Sequence, residues 1–119
     1  MAESKTYTGG CHCGMVRYEC TADLAMVTAC NCSICTKKGL HLTFVPPQSF
    51  RLRAGHEALK EYLFNKHAIR HQMCSECGVE VFANGKNPDG TEVVALNVST
   101  IDHIDLSTLK MSPIDGRSF

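Results

Sequence analysis

Cys74-Ser75-Glu76-Cys77-Gly78, read together with its earlier echo Cys11-His12-Cys13-Gly14, decides the architecture of this chain. Each stretch pairs two closely spaced cysteines with a following glycine, and together they supply four thiolates, a complete tetrahedral shell for zinc. About sixty residues separate the two pairs, and each lies at the end of a stretch that reads as a β-strand. A shared metal would therefore clip the N-terminal strand to a strand late in the chain. Gly14 and Gly78 tolerate positive φ and let backbone N–H groups turn towards the sulfurs, offsetting the charge of four thiolates around one divalent ion. In a small domain such a metal contributes much of the folding energy. A closed four-thiolate shell leaves no position for substrate, so Cys11, Cys13, Cys74 and Cys77 read as structural ligands.

A third cluster follows a different rule. Cys30-Asn31-Cys32-Ser33-Ile34-Cys35 is a triplet, and with it seven of the eight cysteines are accounted for. Three protein ligands and an open position are the pattern of a catalytic metal. The fourth ligand of Cys30, Cys32 and Cys35 is water or substrate in that reading. A protein ligand instead, from Cys20, His41, His67 or His71, would close the site and make it structural. Cys20 shares a strand face with Val16 and Tyr18, where a small buried residue fits, and the three histidines read equally as strand or surface residues. Lys37 and Lys38 lie just past the triplet, as solvated surface or as partners for substrate carboxylates.

The bulk properties narrow the context. The chain has 119 residues, the size of one domain spanning 1–119. Lys plus Arg and Asp plus Glu number 12 each, giving a net charge of zero. No basic stripe is present, which argues against nucleic acid as a partner. The N-terminus lacks the apolar run of a signal peptide, and no segment is long enough to cross a bilayer, so a cytoplasmic location without membrane attachment is expected. In a reducing compartment clustered cysteines bind metal rather than form disulfides. Neighbours in C-x-C or C-x-x-C spacing also fit relaxed disulfide geometry poorly. Iron–sulfur ligation is the other metal reading, but its usual cysteine runs do not match these clusters.

The pattern predicts a mainly β fold. Met15 to Cys20 and Ser49 to Arg53 alternate apolar and polar residues. His41 to Val45 is β-branched and aromatic, and stops at Pro46-Pro47. Ile69 to Met73 leads into the second cysteine pair, and Val79 to Ala83 leads out of it towards a turn at Asn84-Gly85. Glu92 to Val98 is a further strand, after a loop at Asn87-Pro88-Asp89-Gly90. His56 to Leu63 has partly helical spacing but is short. Brief helical turns are expected from Ser33 to Lys38 and after Asp105, and the tail from Met111 to Phe119 reads as irregular.

The ordered cysteine clusters, with Gly10 before the first and Ala68-Ile69-Arg70-His71-Gln72-Met73 before the last, resemble the glutathione-dependent formaldehyde-activating enzyme family. That family includes the domain of centromere protein V and has an Mss4-like zinc-binding β fold of short antiparallel sheets. Weaker echoes are Phe44, the segment Gly55 to Tyr62, Asn97-Val98-Ser99-Thr100-Ile101-Asp102 and Asp115-Gly116, so the resemblance runs from about Tyr7 to Gly116. It implies two zinc ions, a structural one on Cys11, Cys13, Cys74 and Cys77 and a catalytic one on Cys30, Cys32 and Cys35. It also implies a carbon–sulfur lyase step in reverse, joining glutathione and formaldehyde into S-hydroxymethylglutathione. The partners would be a small-molecule thiol and an aldehyde. This chain is shorter than the family's name-giving enzymes, and loops that shape a glutathione pocket are the expected loss. Two rival expectations are a non-catalytic Mss4-like zinc module that binds a protein partner and, by analogy with centromere protein V, a chromatin or DNA binder, which the neutral charge disfavours.

Overall fold

The structure, a computed structural model, describes residues 4–25, 27–30, 33–63, 69–87 and 89–114. Strand-forming segments assemble two sheets. The smaller is antiparallel and has the order β1-β2-β5, from β1 (Lys5–Gly10), β2 (Arg17–Ala22) and β5 (Phe50–Ala54). The larger contains β3 (Val27–Cys30), β4 (Leu42–Val45), β6 (Leu59–Tyr62) and β7 (Arg70–Cys74). It is completed by β8 (Glu80–Lys86), β9 (Glu92–Asn97) and β10 (Met111–Ile114), in the order β10-β3-β4-β9-β8-β7-β6. All pairings are antiparallel except the parallel pair β10–β3. The fold is the expected mainly β arrangement with a few short helical turns.

Period-two alternation accounts for the core. Along β2, Tyr18, Cys20 and Ala22 are buried while Arg17, Glu19 and Thr21 are not, and Val16 just before the strand is also fully buried. They meet Val27, Val81, Leu96 and Val98 from the larger sheet and its flank. An aromatic row joins the two sheets: Phe50 of β5 stacks on Tyr18 at 5.3 Å between centroids and meets Phe82 of β8 at 4.5 Å with the rings tilted by 41°. A polar tie runs from the smaller sheet to the segment after β9, because Asp102 accepts from Thr8 of β1 (3.0 Å) and from the Arg17 guanidinium (3.1 Å). The arginine holds the Asp102 carboxyl below its ordinary range.

Among the described residues the one α-helix, α1 (Ser33–Lys38), lies where a helical turn was expected. Gly39 (φ 66°) ends it, and the Leu40 N–H returns to the Cys35 carbonyl at 3.1 Å, the Schellman closure. The expected turn after Asp105 is a 3₁₀ turn over Leu106–Thr108, capped by the Asp105 carboxylate accepting from the Ser107 N–H at 3.0 Å.

Two local expectations are corrected, and one segment left open by the sequence is assigned. β8 does not stop at Asn84-Gly85: both residues stay in register with Val94 and Val93 of β9, and pairing continues to Lys86↔Glu92. The chain reverses between Asn87 and Thr91, where the Asn87 N–H donates to the Thr91 carbonyl (2.8 Å). The tail is not irregular from Met111, because Met111–Ile114 is a strand on β3. Its edge position tolerates Pro113, the residue that hid it. Finally, the ambiguous segment splits into a 3₁₀ turn, His56–Ala58, and strand β6, whose Leu59 pairs with Cys74.

Candidate metal centre and the adjoining helix

Two loops of matching construction bring four sulfurs together. Cys11 follows β1 and Cys74 closes β7. In each loop the cysteine N–H bonds a carbonyl five residues on, Cys11 to Val16 (3.1 Å) and Cys74 to Val79 (3.0 Å). Gly14 and Gly78 take φ of 86° and 79° inside these loops, the conformation their position demanded. Backbone donors then point at sulfur, the Val16 N–H to Cys11 Sγ (3.3 Å) and the Glu76 N–H to Cys74 Sγ (3.4 Å).

The sulfurs of Cys11, Cys13, Cys74 and Cys77 all lie within 4.8 Å of one another. Cys11 and Cys13 are 3.5 Å apart, and Cys13 and Cys74 are 3.6 Å apart. A disulfide needs about 2.05 Å, whereas a tetrahedron with Zn–S bonds of about 2.3 Å has edges of about 3.8 Å. The donor set and its spacing fit a zinc ion. Electrostatics agree. Burial raises the Cys77 thiol, but the Val79 and Cys13 N–H groups and the sulfurs of Cys74 and Cys11 outweigh it and draw the thiol down to about 6. Cys11 is also lowered: burial opposes ionisation, and the Val16 N–H and neighbouring thiols outweigh it. Cys13 receives the Met15 N–H, which favours its thiolate, yet the three crowding sulfurs and its desolvation push it up to about 12. Four sulfurs this close share protons until a cation replaces them.

The triplet is placed in part. Cys30 is the last residue of β3 and Cys35 sits in α1, buried against Leu40, Leu42, Ala83 and Ala95. Cys32 and the Cys30 side chain lie outside what the structure describes, as does His67. Among the other fourth-ligand candidates, Cys20 is fully buried in the core, and burial pushes its thiol up to about 11. His41 Nδ1 is 3.4 Å from Ser99 Oγ. His71 is buried and donates from Nδ1 to Glu80 Oε2 at 2.9 Å. Of the two lysines, Lys37 is exposed, while Lys38 Nζ lies 3.2 Å from Glu80 Oε1 and 3.4 Å from Met73 Sδ.

Glu80 is the residue that sequence reasoning missed. Val79-Glu80-Val81 reads as alternation with the carboxylate in water, yet its side chain is 2% exposed. The signal that could have found it is positional: Glu80 stands three residues after Cys77, and His71 three before Cys74.

Fold and cluster together define a small mainly β domain with a four-cysteine site able to hold a metal. The chain belongs to the family described as glutathione-dependent formaldehyde-activating enzyme, which it matches over residues 6–114. Its fold is similar to the crystal structure of a Rhodobacter sphaeroides protein from a structural genomics programme. That similarity has a TM-score of 0.78 and 26% sequence identity, and covers 89% of this chain and 97% of the other. Among the described residues no helix is long and apolar enough to cross a membrane.

Proposed function

We propose that the chain is a zinc-dependent enzyme that joins or cleaves a carbon–sulfur bond between a thiol such as glutathione and a small aldehyde. The observation that carries this reading is the self-sufficiency of the closed cluster. Four cysteines complete a tetrahedral donor set with each other, and Cys35 stands apart on α1. The triplet Cys30, Cys32 and Cys35 is thereby left for a second metal with an open position. A zinc ion held there supplies a Lewis acid that lowers the pKa of a substrate thiol.

The chain's own residues do the rest. Leu42, Ala83 and Ala95 give Cys35 a dry backing, which excludes water from one side of the site. Lys37, exposed beside the triplet, offers an ammonium to a glutathione carboxylate, whereas Lys38 on the same turn is already paired with Glu80. In the net reaction the thiol loses its proton, sulfur bonds the carbonyl carbon, and the carbonyl oxygen gains a proton. Holding both reactants together is a large part of the benefit. Seven thiols clustered at metal-binding spacing also fit a reducing, cytoplasmic setting.

The test is an exchange measurement by NMR with glutathione and isotopically labelled formaldehyde. Zinc-replete protein should accelerate interconversion of formaldehyde hydrate and S-hydroxymethylglutathione, and Cys35→Ser should abolish the acceleration. No acceleration by protein carrying two zinc ions contradicts the proposal. The second reading, a partner-binding zinc module, draws on the exposed side chains of Phe44 (51%) and Ile69 (48%). It requires a triplet metal that exogenous thiols leave untouched.

A further inference from the structure

Three polar side chains meet where α1 adjoins the larger sheet. His71 of β7 and Glu80 of β8 have side chains only 6% and 2% exposed, and the imidazole Nδ1 donates to one carboxylate oxygen at 2.9 Å. Lys38, the last residue of α1, reaches the other carboxylate oxygen at 3.2 Å. Withdrawing a carboxylate from water is costly unless it is paired, and a well-packed apolar trio often serves stability as well. Holding the fold together therefore does not account for the choice of residues.

Their positions do. Glu80 and His71 stand on the two strands that flank the Cys74–Cys77 loop, each three residues from a cysteine of the closed cluster. Lys38 is three residues after Cys35, on the same helix. That helix has six residues, well below the length of about 12–15 at which a helix holds its shape alone in water. Its placement must come from tertiary contacts. Cys35 and Leu40 pack on Leu42, Ala83 and Ala95 and fix how deeply the helix sits. Such contacts are non-directional. The Lys38–Glu80 ion pair, 3.2 Å between Nζ and Oε1, adds a charge attraction that ties the last residue of the helix to β8. Ala83 shows how close the parts lie, since it packs with Cys35 and is paired across the strands with His71.

We propose that His71, Glu80 and Lys38 act as a positioning relay that sets the Cys35 thiolate from the frame of the closed cluster. Metal affinity at the triplet then depends on Glu80 and Lys38, neither of which is a ligand. The inference rests on the reading of Cys30, Cys32 and Cys35 as a metal site.

The test starts from reduced, zinc-loaded protein challenged with increasing amounts of a chromophoric zinc chelator. Wild-type protein should release two zinc ions in two steps, the weaker one absent in Cys35→Ser. Glu80→Gln and Lys38→Met should release the weaker zinc at about 10–100-fold lower chelator strength, the range for groups that orient metal ligands. The tighter zinc should be held as in wild type, and Lys38→Arg should restore most of the loss. Two zinc ions released as in wild type by both variants overturn the relay alone. Equal weakening of both steps in Lys38→Met also overturns it, because that is general destabilisation. If Glu80→Gln does not fold, Lys38→Met decides, since Lys38 is the more accessible end of the network. A wild-type protein holding a single zinc overturns the triplet reading, and the relay with it.

Discussion

At the residue scale, the cysteines whose side chains the structure describes divide by environment, and each environment has a measurable consequence. Cys74 anchors the closed cluster from inside the core, with 1% exposure. Cys74→Ser should lower stability by more than about 4 kcal/mol, or abolish the cooperative thermal transition, because metal binding and folding are coupled. Cys32→Ser should leave that transition in place and remove only a second zinc; equal destabilisation by the two changes would contradict the division of roles. Cys20, fully buried and with its thiol pushed up to about 11, should be the last cysteine alkylated by iodoacetamide in the native protein, as peptide mapping would show. The closed cluster also has a pH signature. At neutral pH Cys77, at about 6, is ionised, whereas Cys13, at about 12, keeps its proton until a metal displaces it. Zinc affinity should therefore fall as pH falls, and more steeply below about 6, where Cys77 must also be stripped of a proton. Chelator competition across that range measures the slope. The four-cysteine cluster was legible because cysteine pairs with a trailing glycine have few other uses. Glu80 was not, because a carboxylate in an alternating strand carries no local mark of its distant lysine and histidine partners.

At the element scale, the aromatic row joins the smaller sheet to the larger, the Asp102 contacts tie it to the segment after β9, and a metal on the four cysteines would add a clip. Phe50 is the middle of that row, touching Tyr18 and Phe82. Phe50→Ala should cost about 3 kcal/mol in denaturant unfolding of the zinc-loaded protein, and Phe50→Leu about 1 kcal/mol. A negligible cost for the alanine would mean that the clip alone joins the sheets. Strands β2 and β5, with their own alternation, and β9, a continuous apolar run, were readable in the sequence to within a residue or two. β10 was not, because Met111–Ile114 becomes a strand only by lying parallel to β3, a pairing far away in sequence. β8 overran its predicted stop for a related reason: an Asn-Gly pair turns a chain only when the partner strand ends there, and β9 continues past it.

At the scale of the whole molecule, the closed cluster sits where the two sheets meet and draws one cysteine pair from after β1 and the other from the end of β7. Stripping zinc with a strong chelator should therefore loosen the smaller sheet first. Hydrogen exchange would show faster amide exchange in β1 and β2 than in β8 and β9, and uniform exchange in all four would contradict this. The number and grouping of the cysteines carried the family and the closed site. The triplet's role is a matter of what completes its fourth position, and composition and spacing do not encode that. The most direct measurement is a crystal structure of reduced, zinc-replete protein soaked with glutathione. The account predicts two zinc ions, one bound by Cys11, Cys13, Cys74 and Cys77, the other by Cys30, Cys32 and Cys35 with the glutathione sulfur as fourth ligand. A second zinc closed by a protein side chain, or a triplet that binds no metal, would contradict it.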